Sequence, residues 1–212
     1  MEDLPKIGEK KRLPLSLSVK DYLRDHVFNG RAVFPAVEAM QVLAGSARDT
    51  VPGLDVNVIA AADFNKFLVI DPAMAVLEAF NELERDGTGD IISRLVTVRK
   101  QGTTSITRAV DHVTLRFPGA RPSITVPPLD DTLGLEGICL HPGKDDVYRD
   151  LVPFQPAYRN IETLHVSEQG ALALVNGGTA EAPAEPLGSP FPLDAAFHAA
   201  CVWGQRHAGI VG

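Results

Sequence analysis

The feature that most constrains this chain is the run from Ala36 to Ala44, which follows directly on Pro35 and is almost wholly apolar (Ala36, Val37, Ala39, Met40, Val42, Leu43, Ala44). A helix that is apolar on nearly every face is stable in water only when other structure wraps it. The chain must therefore supply a sheet or further helices to enclose this segment. Pro35 suits the first helical position, because its missing N–H has no partner there and its fixed φ is already helical. The helix is expected over 35–47, with Pro52-Gly53 marking a turn beyond it.

Ahead of the helix stands His26-Val-Phe-Asn-Gly30-Arg-Ala-Val-Phe-Pro35. Gly30 allows a backbone conformation, or a close approach, that a side chain would block. The first free N–H groups of the helix, near Ala36 and Val37, would point into the interior beside His26. A buried helix start with a histidine next to it can hold a developing negative charge. Taken alone, His26 is equally a loop histidine satisfying a carbonyl.

What wraps the helix is written in the following hundred residues. Residues 13–19 alternate apolar and polar with period two, as a half-buried strand does. Val56 to Leu68 reads as extended. Segments 91–99 and 105–117 read as successive antiparallel strands joined by tight turns such as Asp86-Gly87, and 73–83, whose pattern alone fits helix or strand, is expected to be a strand in that context. One helix with several long strands around it describes an α+β unit. Segment 118–137 then holds Pro118, Pro122, Pro127 and Pro128 with little periodicity, the signature of a linker. Past it the pattern resumes, with a short helical segment at 147–152, paired strands at 158–166 and 171–175, and a second apolar helix opened by Pro192.

On that second helix Asp194 and His198 are four residues apart and face the same way. Asp194 would fall in the first turn, where a carboxylate favours the helix dipole. His26, Asp194 and His198 are all good metal-ligand types, yet their spacing matches no zinc pattern, and no metal is expected.

Net charge is −7, which argues against a nucleic-acid partner. Mean hydropathy is close to zero at +0.03, and no apolar run approaches the roughly 20 residues a spanning helix needs. Cys139 and Cys201 form no framework or metal spacing. A soluble, cytoplasmic protein without a secretory signal is the expectation.

His26-x3-Gly30-x4-Pro35 resembles the HxxxGxxxxP motif of the dehydratase domains of modular polyketide synthases and of polyunsaturated-fatty-acid-synthase-like enzymes. Leu193-Asp-Ala-Ala-Phe-His198-Ala is similar to the LDAALHA segment of that family, and Phe154-Gln-Pro-Ala-Tyr158 to the region that usually reads YGPAF. The three occur in family order. Val152 and Phe154 stand where the family usually carries tyrosines, Tyr158 where a phenylalanine is common, and Ala36 where a glycine often follows the motif proline.

The resemblance implies a double hotdog, two antiparallel sheets each wrapped around a central helix. The first hotdog would occupy 1–120, a linker 121–137, and a second, incomplete one 138–212, because the family has further strands after the Asp194 helix. It implies loss of water from a 3-hydroxyacyl thioester on an acyl carrier protein, giving the 2,3-enoyl thioester. His26 would be the base and Asp194 the acid, with His198, Gly30, Pro35 and Ala36 in support. Phe34, Phe154, Pro156 and Tyr158 would line the substrate pocket. A donor carboxylic acid needs a raised pKa, which burial supplies and a helix start opposes. No cofactor beyond the carrier's phosphopantetheine is expected. The expected partners are the acyl carrier protein and neighbouring synthase domains, and a homodimer is open; nucleic acid and membrane are excluded. A thioesterase, an enoyl isomerase, or a non-catalytic acyl-binding scaffold are the alternatives.

Overall fold

The structure, a computed structural model, describes residues 6–100, 107–120 and 140–207. After strand β1 (Lys10–Ser18) come a 3-10 turn at Asp21–Asp25, the short strands β2 (Val27–Phe28) and β3 (Arg31–Ala32), and helix α1 (Ala36–Thr50). Strands β4 (Ala61–Phe64), β5 (Val76–Arg85), β6 (Ile91–Lys100) and β7 (Thr107–Phe117) follow. β1, β5, β6, β7 and β4 form one antiparallel sheet in that order, and α1 packs against β5, β6 and β7.

The wrapping that the apolar helix demands is therefore present. Leu77, Ala79 and Leu83 of β5, Leu95 of β6, and Val113, Leu115 and Phe117 of β7 share one core with Leu43, Ala44 and Ala47 of α1. Each fully buried Leu or Phe contributes about 1.5–3 kcal/mol of transfer free energy. The helix runs 36–50, ending three residues later than the pattern suggests, and Pro35 is its N-cap (φ −64, ψ 143) rather than its first helical residue.

Only Ala61–Phe64 of the expected extended run 56–68 is a strand. Before it, Asp55 turns the chain by accepting from the Asn57 N–H at 3.2 Å. After it, the backbone bends around a bulge in β7: Leu95 pairs with Val113 and Val96 with Asp111, which leaves His112 as the extra residue. The N–H groups of Asn65 and Lys66 both donate to the His112 carbonyl. A bulge re-aims its side chain, and the His112 ring is buried against Thr97 (2.8 Å) and the Lys66 carbonyl (3.0 Å).

In the second part, a short helix α2 (Lys144–Asp146) continues as a π-helical turn at Val147–Leu151. Strands β8 (Ile161–Val166) and β9 (Ala171–Val175) form a hairpin, packed on the long helix α3 (Pro190–His207). Val147, Tyr148, Ile161, Leu164 and Val166 form a second core with Ala195, Ala199 and Val202 of α3. The expected linker 121–137 lies outside the described residues.

Helix α3 begins at Pro190, two residues before Pro192. Both prolines fit inside a first turn, where backbone N–H groups have no helical partner. Asp194 consequently lies beyond that turn and not within it, so the dipole field on it is weaker than a first-turn position would give. α3 also packs on α1. Gln41 of α1 binds the loop leading into α3, accepting from the Leu187 N–H at 2.9 Å and donating to the Gly188 carbonyl. No helix among the described residues is long and apolar enough to cross a membrane.

Candidate active site

His26 follows the 3-10 turn and opens a two-strand hairpin whose tight loop is Asn29-Gly30. Both loop residues have positive φ, 48 and 74, the conformation that a two-residue hairpin turn requires. A side chain at Gly30 would meet nothing within 4 Å. The motif glycine is thus present for its left-handed backbone and not for a close approach. The hairpin returns the chain so that the Val33 N–H donates to the His26 carbonyl at 2.9 Å. Pro35 then starts α1 with no side-chain cap.

A cavity of about 170 Å³ lies here, lined by His26, Phe34, Ala36, Phe67, Leu95 and His112 among others. The uncapped start of α1 is therefore at its wall.

The second helix meets this hairpin. The His26 Nε2 is 3.9 Å from Asp194 Oδ1, and the His198 Nε2 is 3.0 Å from Asp194 Oδ2. The three side chains are 12%, 4% and 4% exposed for His26, Asp194 and His198. The expected support from His198 is a contact without hydrogen-bond alignment, since both atoms remain unpaired despite their separation. The helical four-residue spacing presses the ring against the carboxyl but does not aim it along the line of centres.

Phe154 fills the space between the two imidazoles, stacked on His26 at 4.3 Å and on His198 at 4.5 Å. Tyr158 is fully buried and meets His26 edge-on at 5.1 Å. Neither lines the cavity beside Phe34, and Pro156 is exposed at the start of its 3-10 turn. Asp25 fastens that segment to the hairpin: its carboxylate accepts from the Ala157 N–H at 3.0 Å, and its carbonyl from the Gln155 N–H at 2.9 Å.

Burial pushes the His26 pKa down to about 4; the field of Asp194 raises it and that of His198 lowers it. Its imidazole is neutral at neutral pH, as a proton acceptor must be. Buried polar atoms normally find partners. Of six buried side-chain atoms without one among the described residues, five belong to His26, Tyr158, Asp194 and His198. That concentration marks a place prepared for a polar ligand. His26, Asp194 and His198 also form the one group of metal-ligating type among the described residues whose donor atoms all lie within 4.8 Å of one another.

Sequence reasoning overlooked Glu38. It is buried in the first turn of α1, accepting from the Tyr22 hydroxyl at 3.1 Å. Burial pushes its pKa up to about 7; the Tyr22 hydrogen bond works against that and the field of Asp194 adds to it. An acid at the third position of an otherwise apolar run was the available signal.

A carboxyl whose folded pKa is raised favours folding fully below its ordinary 4.5 and loses that contribution as pH rises through about 7. His26 behaves oppositely: its contribution is complete above 6.5 and is lost as pH falls through about 4. Glu38→Gln keeps a carbonyl oxygen for Tyr22 and removes the first effect alone. Relative to wild type the variant should gain about 2–3 kcal/mol between pH 5 and pH 8, read from urea unfolding at both values. A difference independent of pH would mean that Glu38 titrates as an ordinary carboxyl.

No protein-family model matches the chain, and no curated protein matches it. Several solved structures do. A trans-AT PKS dehydratase domain from Brevibacillus brevis is 18% identical with TM-score 0.70, over 95% of this chain and 72% of that one. The dehydratase domain from the CurF module of curacin polyketide synthase is 18% identical, TM-score 0.68, over 93% and 72%. The dehydratase domain of RzxB from Pseudomonas fluorescens is 20% identical, TM-score 0.64, over 91% and 70%. The chain shares the mixed, antiparallel-sheet fold of these polyketide synthase dehydratase domains.

Proposed function

We propose that this chain is a dehydratase of polyketide-type biosynthesis, removing water from a 3-hydroxyacyl thioester presented by an acyl carrier protein. The observation that carries the reading is the meeting of His26 and Asp194, at 3.9 Å, from distant parts of the chain. The shared fold with dehydratase domains supports it. On this reading the two helices are the centres of a double hotdog, with the crevice between its halves.

The chemistry follows from the groups present. The proton at C2 of a thioester is weakly acidic, and neutral His26 accepts it while charge builds on the thioester oxygen. The N–H groups of Ala36 and Val37, in the first turn of a helix without a side-chain cap whose Ala36 lines the cavity, would stabilise that charge. Asp194 gives its proton to the C3 oxygen, the C3–O bond breaks, and water leaves as the C2–C3 double bond forms. The protonated His26 then returns a proton to Asp194, which restores both groups. Phe154, packed between the imidazoles, keeps bulk water away from the pair. The partners that follow are an acyl carrier protein and the adjoining domains of a synthase, in the cytoplasm.

The test is direct. The chain, mixed with the 3-hydroxybutyryl thioester of pantetheine, should form the 2,3-enoyl thioester, followed by its ultraviolet absorbance. Free thiol without enoyl product would make it a thioesterase instead. Binding with no product would leave an acyl-binding scaffold.

A further inference from the structure

The mechanism above gives no work to the hydroxyl of Tyr158. Its ring is enclosed by His26 at 5.1 Å, Phe191 at 5.6 Å and Tyr22 at 6.4 Å. The backbone beneath it is held by Asp25 through the neighbouring Ala157 N–H. The hydroxyl itself is buried and has no hydrogen-bond partner. It nevertheless lies in the fields of three carboxyl groups, Glu38, Asp194 and Asp25, and bonds to none of them.

A buried hydroxyl left unpaired lowers stability, and a phenylalanine of nearly the same shape would not incur that penalty. Such a group is explained when a ligand completes it. Burial, together with the three carboxyls, drives the phenol pKa far above its ordinary value, so the group keeps its proton and can donate at any working pH. Of the substrate's two oxygens, the thioester oxygen belongs with His26 and the helix start. Asp194, whose field Tyr158 shares, serves the oxygen on C3.

We propose that the Tyr158 hydroxyl donates a hydrogen bond to the C3 oxygen of the bound 3-hydroxyacyl group, beside Asp194. This rests on the dehydratase reading. Asp194 transfers its proton to that oxygen, while Tyr158 keeps its own and steadies the oxygen as the C3–O bond lengthens. The donation strengthens as charge moves onto the departing oxygen, so its removal acts on kcat more than on KM.

The experiment compares Tyr158→Phe with wild type, using 3-hydroxybutyryl pantetheine thioester and thermal unfolding in parallel. The expected result is a kcat lower by about 10–10²-fold, a KM within about twofold, and a Tm equal to or above wild type. A wild-type kcat overturns the proposal. So does a lowered Tm with activity falling alongside it, which would make the hydroxyl part of the framework. If wild type itself forms no enoyl product, the dehydratase reading fails and the proposal, which rests on it, is overturned with it. A wild type that turns over beside a Tyr158→Phe variant of equal kcat overturns the proposal alone.

Discussion

Replacing His26 with alanine should slow formation of the enoyl thioester by about 10²–10⁴-fold, with the fold retained. The imidazole is the neutral acceptor at the cavity wall, and neither neighbour can stand in for it, since Asp194 is its counterpart and Phe154 is apolar. Its ring gives up at most a backbone contact with Val33 on truncation, and no hydrogen bond to another side chain. What is lost structurally is the stacking on Phe154 and the edge contact with Tyr158, each an effect of about 0.5–1.5 kcal/mol. The loss should appear in kcat, and calorimetry should show only a modest fall in Tm. A rate within twofold of wild type would remove His26 from the chemistry.

Asp194→Asn should produce a comparable fall, again about 10²–10⁴-fold, because the amide has the carboxyl's shape but no proton to give to a leaving hydroxyl. The side chain is buried on α3 against His198, and the amide can occupy the same space. Substrate binding should therefore change little, and the deficit should fall on kcat. The double variant carries the sharper information. Two groups that hand a proton between them act as a unit, so their combined loss should fall well short of the product of the single losses. Losses that multiply in full would mean that the two residues serve separate steps.

The parts of the site legible in the sequence were those carried by short fixed spacings. His26, Gly30 and Pro35 belong to one hairpin-to-helix turn, and Asp194 and His198 to one helical face. Such local geometry survives without knowledge of the rest of the fold. Of the main sheet, 13–19 was legible as a period-two run and 91–99 and 105–117 as runs ending in tight turns, whereas the pattern of 73–83 fits helix or strand alike and only its neighbours mark it as strand. Glu38 was not, because a carboxylate on a helix is by default a surface residue. Only the tertiary approach of Tyr22 gives it a reason to be inside. The bulge at His112, which cuts the run 56–68 to a four-residue strand, depends on the pairing of β6 with β7 and leaves no mark in composition. The start of α3 was misplaced because two prolines stand where either could begin a helix.

Asp25 and Gln41 have a bearing on the order of events as the chain folds. The bond from Ala157 to Asp25 joins residues 132 positions apart, and that from Leu187 to Gln41 spans 146. Links of that reach close late, since the entropy lost in joining distant segments is not repaid until both have taken shape. His26 and Asp194, on opposite sides of these links, are therefore expected to meet only once both segments have taken shape. On the dehydratase reading, the pair that would do the chemistry is then the last part of the molecule to be assembled.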